Sequence, residues 1–168
     1  MFTLSDIRDI AVQIERNGEE SYQKASEAVV DSRVAVIFRW LAEEERRHAR
    51  YFASLAMTKQ LSAEQSEIEV MGRSLLQSMV RDKTFSLDQE RLNSVESLGE
   101  MLNQARIFEQ DTVLFYRFLR DIVDDPAVKQ QLDVIIEEEN RHAALLGRLA
   151  ANEYDEDFPD ISGMKTGL

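Results

Sequence analysis

Two Glu-x-x-His tetrads, Glu45-Arg46-Arg47-His48 and Glu139-Asn140-Arg141-His142, lie 94 residues apart in this chain and hold its only two histidines. Each tetrad is preceded by two further glutamates and followed by alanine. Thirty residues before the Glu of each tetrad stands another Glu, with Tyr seven residues after it: Glu15 and Tyr22 in the first copy, Glu109 and Tyr116 in the second. The chain therefore reads as two similar halves, each built around the same set of ionisable side chains. Any fold it adopts must place both copies in a setting that tolerates them.

The residues around the repeat are apolar at alternating steps of three and four, the spacing of helices packed in a bundle. Four segments show it, at about 4–30, 32–58, 97–123 and 126–152. The second has Val34, Phe38, Leu41, Phe52 and Leu55 in this phase, and the fourth has Val128, Leu132, Ile135, Leu146 and Leu149. Asp124-Asp125-Pro126 is a helix start, since Asp caps the first turn and Pro fits it. Only two or three residues separate the segments of each half, so each half must fold back as an antiparallel hairpin. Between the hairpins lies a long crossover, 59–96. There Ser62-Ala63-Glu64-Gln65 reads as a capping box, and Ile68, Met71, Leu75 and Met79 follow at helical spacing. The expected fold is all-α: a four-helix bundle over residues 1–151, of two antiparallel hairpins joined by a long crossover containing a short helix. Residues 152–168, with five acids, Pro159, Gly163 and Gly167, form an acidic tail. Six glycines and two prolines in 168 residues agree with long helices rather than turn-rich β architecture.

On the four seams, the positions that a bundle normally gives to Leu are occupied by Glu15, Glu45, His48, Glu109, Glu139 and His142. At roughly 1.5 Å per residue, Glu15 and Glu45 both stand about 22 Å from the turn of their hairpin, and Glu109 and Glu139 do likewise. Residues i and i+3 share a helix face, so the Glu and His of each tetrad can act from one side. Four carboxylates and two imidazoles then converge at mid-bundle. Buried without partners they would cost many kcal/mol; two divalent cations would neutralise them. Oxygen ligands with imidazole suit iron, manganese or zinc better than calcium. One Glu from each of two helices and Glu-x-x-His from each of the others is the dimetal carboxylate arrangement of helical bundles. Glu19, Glu20, Glu43, Glu44, Glu137 and Glu138 read as a solvated face, and Trp40 as core or subunit contact.

Several function classes are excluded or disfavoured. A net charge of −12 repels nucleic acid and anionic membrane surfaces. The absence of cysteine removes disulfides, thiolate catalysis and cysteine-ligated metal centres. No stretch approaches the ~18 apolar residues that span a bilayer, and no signal peptide is visible at the N-terminus. A soluble, cytoplasmic protein is expected.

The paired motifs Glu15…Tyr22 with Glu45-Arg46-Arg47-His48, and Glu109…Tyr116 with Glu139-Asn140-Arg141-His142, resemble those of the rubrerythrin family in the ferritin-like superfamily. The resemblance covers about 150 residues. It implies a ferritin-like bundle holding two iron ions per chain, with manganese or zinc as alternatives. Glu45 and Glu139 would be shared between the metals, Glu15 with His48 and Glu109 with His142 would be terminal ligands, and Tyr22 and Tyr116 would bond the carboxylates and take part in electron transfer. Two departures stand out: rubrerythrins proper carry a rubredoxin-like domain with four cysteines, and a further Glu where this chain has Thr112. An electron donor would then be a separate protein. The expected function is a non-haem di-iron oxidoreductase reducing hydrogen peroxide or dioxygen, self-associated as a homodimer or higher homo-oligomer. Iron storage or buffering, and a bundle held together by structural zinc, are the other readings.

Overall fold

Helix-forming segments with one apolar face bury that face against one another, and in this chain four of them do so. The computed structural model describes residues 4–55 and 98–151. These form α1 (Leu4–Ala28), α2 (Ser32–Ser54), α3 (Leu98–Ile122) and α4 (Pro126–Ala150), with no strand among the described residues. The expected crossover helix near 62–79 and the tail 152–168 lie outside the described residues.

The short connections, 29–31 and 123–125, fold α2 back on α1 and α4 back on α3. Each second helix is started by an aspartate. The Asp31 side chain accepts from the Arg33 backbone N–H at 2.9 Å. Asp125 accepts from Ala127 at 2.8 Å and Val128 at 3.3 Å, with Pro126 in the first turn, where its missing N–H costs nothing. At the far end of α2 the Leu55 N–H returns to the Phe52 carbonyl at 3.1 Å, and Arg8 Nη1 donates to the Leu55 carbonyl at 3.2 Å. These bonds close α2 at Ser54, four residues before the expected end.

Contacts between the hairpins fix their relative direction. Tyr22 of α1 meets Glu109 of α3, and Tyr116 of α3 meets Glu15 of α1, so α1 and α3 run antiparallel. The two turns thus sit at opposite ends of the bundle, and the 94-residue repeat becomes an approximate twofold through its middle. Above and below that middle the core is aromatic and aliphatic. Tyr22 stacks on Phe38 with ring centroids 5.9 Å apart, Phe52 packs on Tyr116 at 4.9 Å, and Leu41, Leu102, Leu119, Leu132, Ile135 and Leu146 are fully buried. Each such side chain contributes about 1.5–3 kcal/mol of burial. These layers hold the helices in register around a middle that is not apolar.

Candidate metal centre

Apart from Leu55 and Val128, which are half-buried, the seam positions of the second and fourth segments are buried, and so are the acids and histidines among them. Glu15, Glu45, His48, Glu109 and Glu139 are wholly inaccessible and His142 is 2% exposed. They form two four-residue groups, Glu15, Glu45, His48 and Glu139 on one side and Glu45, Glu109, Glu139 and His142 on the other. In each group four potential ligand atoms lie within 4.8 Å of one another. Glu45 and Glu139 are common to both.

Both imidazoles turn Nδ1 inward. His48 Nδ1 is 2.8 Å from Glu139 Oε1 and 3.6 Å from Glu15 Oε2. His142 Nδ1 is 2.9 Å from Glu139 Oε2 and 3.9 Å from Glu109 Oε2. The rings stack at 6.3 Å between centroids. Tyr22 donates its hydroxyl to Glu109 Oε1 and Tyr116 donates to Glu15 Oε1, so each tyrosine crosses to the other hairpin and holds the carboxylate of the opposite group. Both tyrosines are fully buried.

The electrostatics follow from crowding acids away from water. Burial, then Glu139 and Glu15, pushes Glu45 well above the usual carboxylate range. Burial and Glu139 do the same to Glu109. Burial raises Glu15, with His48 offsetting part of it. Glu139 goes the other way: burial works to raise it, but His48 and His142 hold it well below the usual range. Burial opposes charge on His48, yet Glu139 and Glu15 outweigh it and raise the imidazole well above its ordinary value. Burial and Glu109 raise the Tyr22 hydroxyl.

The donor set fits a pair of divalent cations. Glu15 Oε2, both oxygens of Glu45, Glu109 Oε2, Glu139 Oε1 and His48 Nδ1 are buried and have no well-oriented hydrogen-bond partner among the described residues. Buried polar atoms in folded proteins are otherwise nearly all satisfied. Six unsatisfied atoms pointing into one centre are what a metal pair would use.

Behind these side chains stand two acids that were expected on a solvated face. Glu44 and Glu138 are only 5% and 6% exposed, whereas Glu20, Glu43 and Glu137 are exposed. His48 Nε2 donates to Glu138 Oε2 at 3.0 Å, and the same oxygen accepts from Arg47 Nη2 at 3.1 Å. Arg47 also pairs with Glu44. Positions 44 and 138 lie three residues after a buried seam residue (Leu41, Ile135) and four before His48 and His142, a spacing that would have placed them on the buried side. Three successive glutamates had the look of a charged surface. Trp40, expected as core or contact residue, is half-buried and meets the His142 ring edge-on at 5.1 Å. Thr112, buried one turn beyond Glu109, donates its hydroxyl back to the Phe108 carbonyl at 3.0 Å, within its own helix.

A four-helix bundle with a dimetal-type carboxylate and imidazole centre at its middle defines the class, a ferritin-like carboxylate protein. The chain belongs to the rubrerythrin family, whose family model matches residues 3–98, more than half of the sequence and the whole first copy of the repeat. Among solved structures it is similar to a ferritin-like diiron-carboxylate protein of Thermotoga maritima. That likeness has a TM-score of 0.63 at 22% identity, and it covers 91% of this chain and 97% of the other. At that identity it speaks for the fold. No curated protein matches the chain. No helix among the described residues is long and apolar enough to cross a membrane.

Proposed function

We propose that the protein is a di-iron oxidoreductase that reduces hydrogen peroxide or dioxygen with electrons from a separate donor protein. The observation that carries this reading is the twofold cluster of six buried ligand-type side chains with two carboxylates common to both halves. Glu15 and His48 would hold one ion, Glu109 and His142 the other, and Glu45 and Glu139 both. When bound, the metal pair supplies Lewis acidity and one-electron redox steps.

The chain's own residues do the rest. The phenol groups of Tyr22 and Tyr116 hold Glu109 and Glu15 in place from the opposite hairpin, so the ligand set is organised before an ion arrives. The aromatic layers around Phe38, Phe52 and Phe108 exclude water and keep the local dielectric low. Glu138 accepts the Nε2–H of His48, so that Nδ1 is the nitrogen that would face a metal once its own proton is lost. Self-association as a homodimer or higher homo-oligomer in the cytoplasm belongs to the same reading.

Anaerobic titration of the metal-free protein with Fe(II), followed by hydrogen peroxide, tests it. The expected result is a break at two irons per chain and a fast rise in near-ultraviolet ferric absorbance. No break, or a break with no oxidation, would overturn the redox reading.

A further inference from the structure

The offset of 94 residues matches the groups facing the centre, but it does not match what stands behind them. Behind His48 is a carboxylate: the Nε2–H donates to Glu138 Oε2 at 3.0 Å, and Glu138 is itself clamped by Arg47. The corresponding acid of the other copy is Glu44, which pairs with Arg47 on the same side rather than with His142. Behind His142 is an indole: Trp40 meets the ring edge-on, with an interplanar angle of 85°. The repeat has Val134 where the first copy has Trp40. The Arg47 side chain is 15% exposed and that of its counterpart Arg141 is 66% exposed. Of the two buried outer acids, therefore, Glu138 alone bonds an imidazole among the described residues, while Glu44 pairs with the part-buried Arg47 instead.

A carboxylate that accepts the outer N–H of a metal-binding imidazole makes the inner nitrogen a stronger donor and locks the ring's orientation, and losing such a partner typically costs 10–100-fold in metal affinity. An aromatic edge packs the ring but supplies no charge. We propose that the two metal positions are unequal: the Glu15–His48 position fills first and more tightly, the Glu109–His142 position second, and Glu138 is the positioning residue that sets the difference. This rests on the dimetal reading above.

Titration of the metal-free protein with Co(II), followed by calorimetry, tests the inference without any turnover. Wild type is expected to take up two ions in two resolved steps, about 10–100-fold apart. His142→Ala should retain the tight step and lose the weak one. Glu138→Gln, nearly the same shape, should weaken the first step by about 10–100-fold and leave the second in place, so that the steps merge. Glu44→Gln changes the other partner of Arg47 and should leave the first step where it is. Two ions bound in equal steps would overturn the inequality while leaving the dimetal reading intact. Fewer than two ions in wild type would overturn both. The assignment to Glu138 fails if Glu138→Gln leaves the first step unshifted, or if Glu44→Gln shifts it equally.

Discussion

Glu45 concentrates the electrostatic problem of the bundle. Neither of its oxygens reaches water or finds a well-oriented hydrogen bond, and three other carboxylates share its surroundings. In the metal-free protein burial and the neighbouring acids push its carboxyl well above the usual range. Burial also raises Glu109 and Glu15, and, against burial, Glu139 and Glu15 raise the His48 imidazole above its ordinary value. All four must be deprotonated at Nδ1 or carboxylate to act as ligands. Metal uptake near pH 7 should therefore release protons, visible as a binding enthalpy that changes with the ionisation enthalpy of the buffer. An enthalpy independent of buffer would contradict the raised values. Glu45→Gln separates the two roles of the charge. It should lower metal affinity by at least about 10-fold, and it should raise the melting temperature of the metal-free protein at about pH 8, each 1 kcal/mol appearing as about 2–4 °C in a chain of this size. At the same scale, Tyr22→Phe removes the hydroxyl donated to Glu109, and the expected loss of affinity, about 10-fold, falls on the Glu109–His142 position.

Helix α1 carries a glycine where its propensity argues against one. Gly18 lies one turn beyond Glu15 in the helix interior, a site where glycine costs about 1 kcal/mol relative to alanine. A Cβ there would stand 2.9 Å from Glu45 Oε2 and 3.1 Å from Phe108 Cζ. The bare backbone lets the Glu45 carboxylate lie against α1, whereas the matching position of α3 holds Thr112. Gly18→Ala is expected to leave the metal-free helix as stable or more so, and to weaken metal binding by about 10-fold because Glu45 is the part able to move; an unchanged isotherm would remove this role for Gly18. At this scale much of the architecture was legible from residues alone. The three-and-four alternation gave four helices and their buried faces, and a thirty-residue spacing across a short turn brought Glu15 level with Glu45. Glu44 and Glu138 escaped because a run of three glutamates signals solvent, yet two consecutive members of each run face the interior. The pairing of α1 with α3, with Tyr22 and Tyr116 reaching across to the other hairpin, depends on how the two halves dock, which no local pattern encodes. The end of α2 was misplaced because an arginine from α1 caps it, a contact 47 residues away in sequence.

In the whole molecule the apolar layers and the central cluster pull in opposite directions, and pH decides the balance. A group whose folded value is raised binds more protons folded than unfolded, so it contributes stability below its unfolded value and loses it as pH rises through the folded one. That sign applies to Glu15, Glu45 and Glu109 from their ordinary 4.5 upward, and to His48 from 6.5 upward. Glu139, held low, has the opposite sign, and its contribution is lost only as pH falls below 4.5. Between about pH 5 and pH 8 the metal-free protein should therefore become less stable as pH rises, and the self-repulsion of its net charge of −12 acts in the same direction. Cations bound at the centre would reverse the slope. They would need the deprotonated ligands that high pH provides, and they would tie α1 and α2 to α3 and α4 through side chains drawn from all four helices. Their stabilisation grows with the ratio of free metal to dissociation constant, about 2.7 kcal/mol at a hundredfold ratio. Calorimetric melting at about pH 5 and about pH 8, with and without Zn(II), measures both slopes. The gap between the two forms should widen toward high pH, and a gap that narrowed would mean that the buried acids are not where the metal binds.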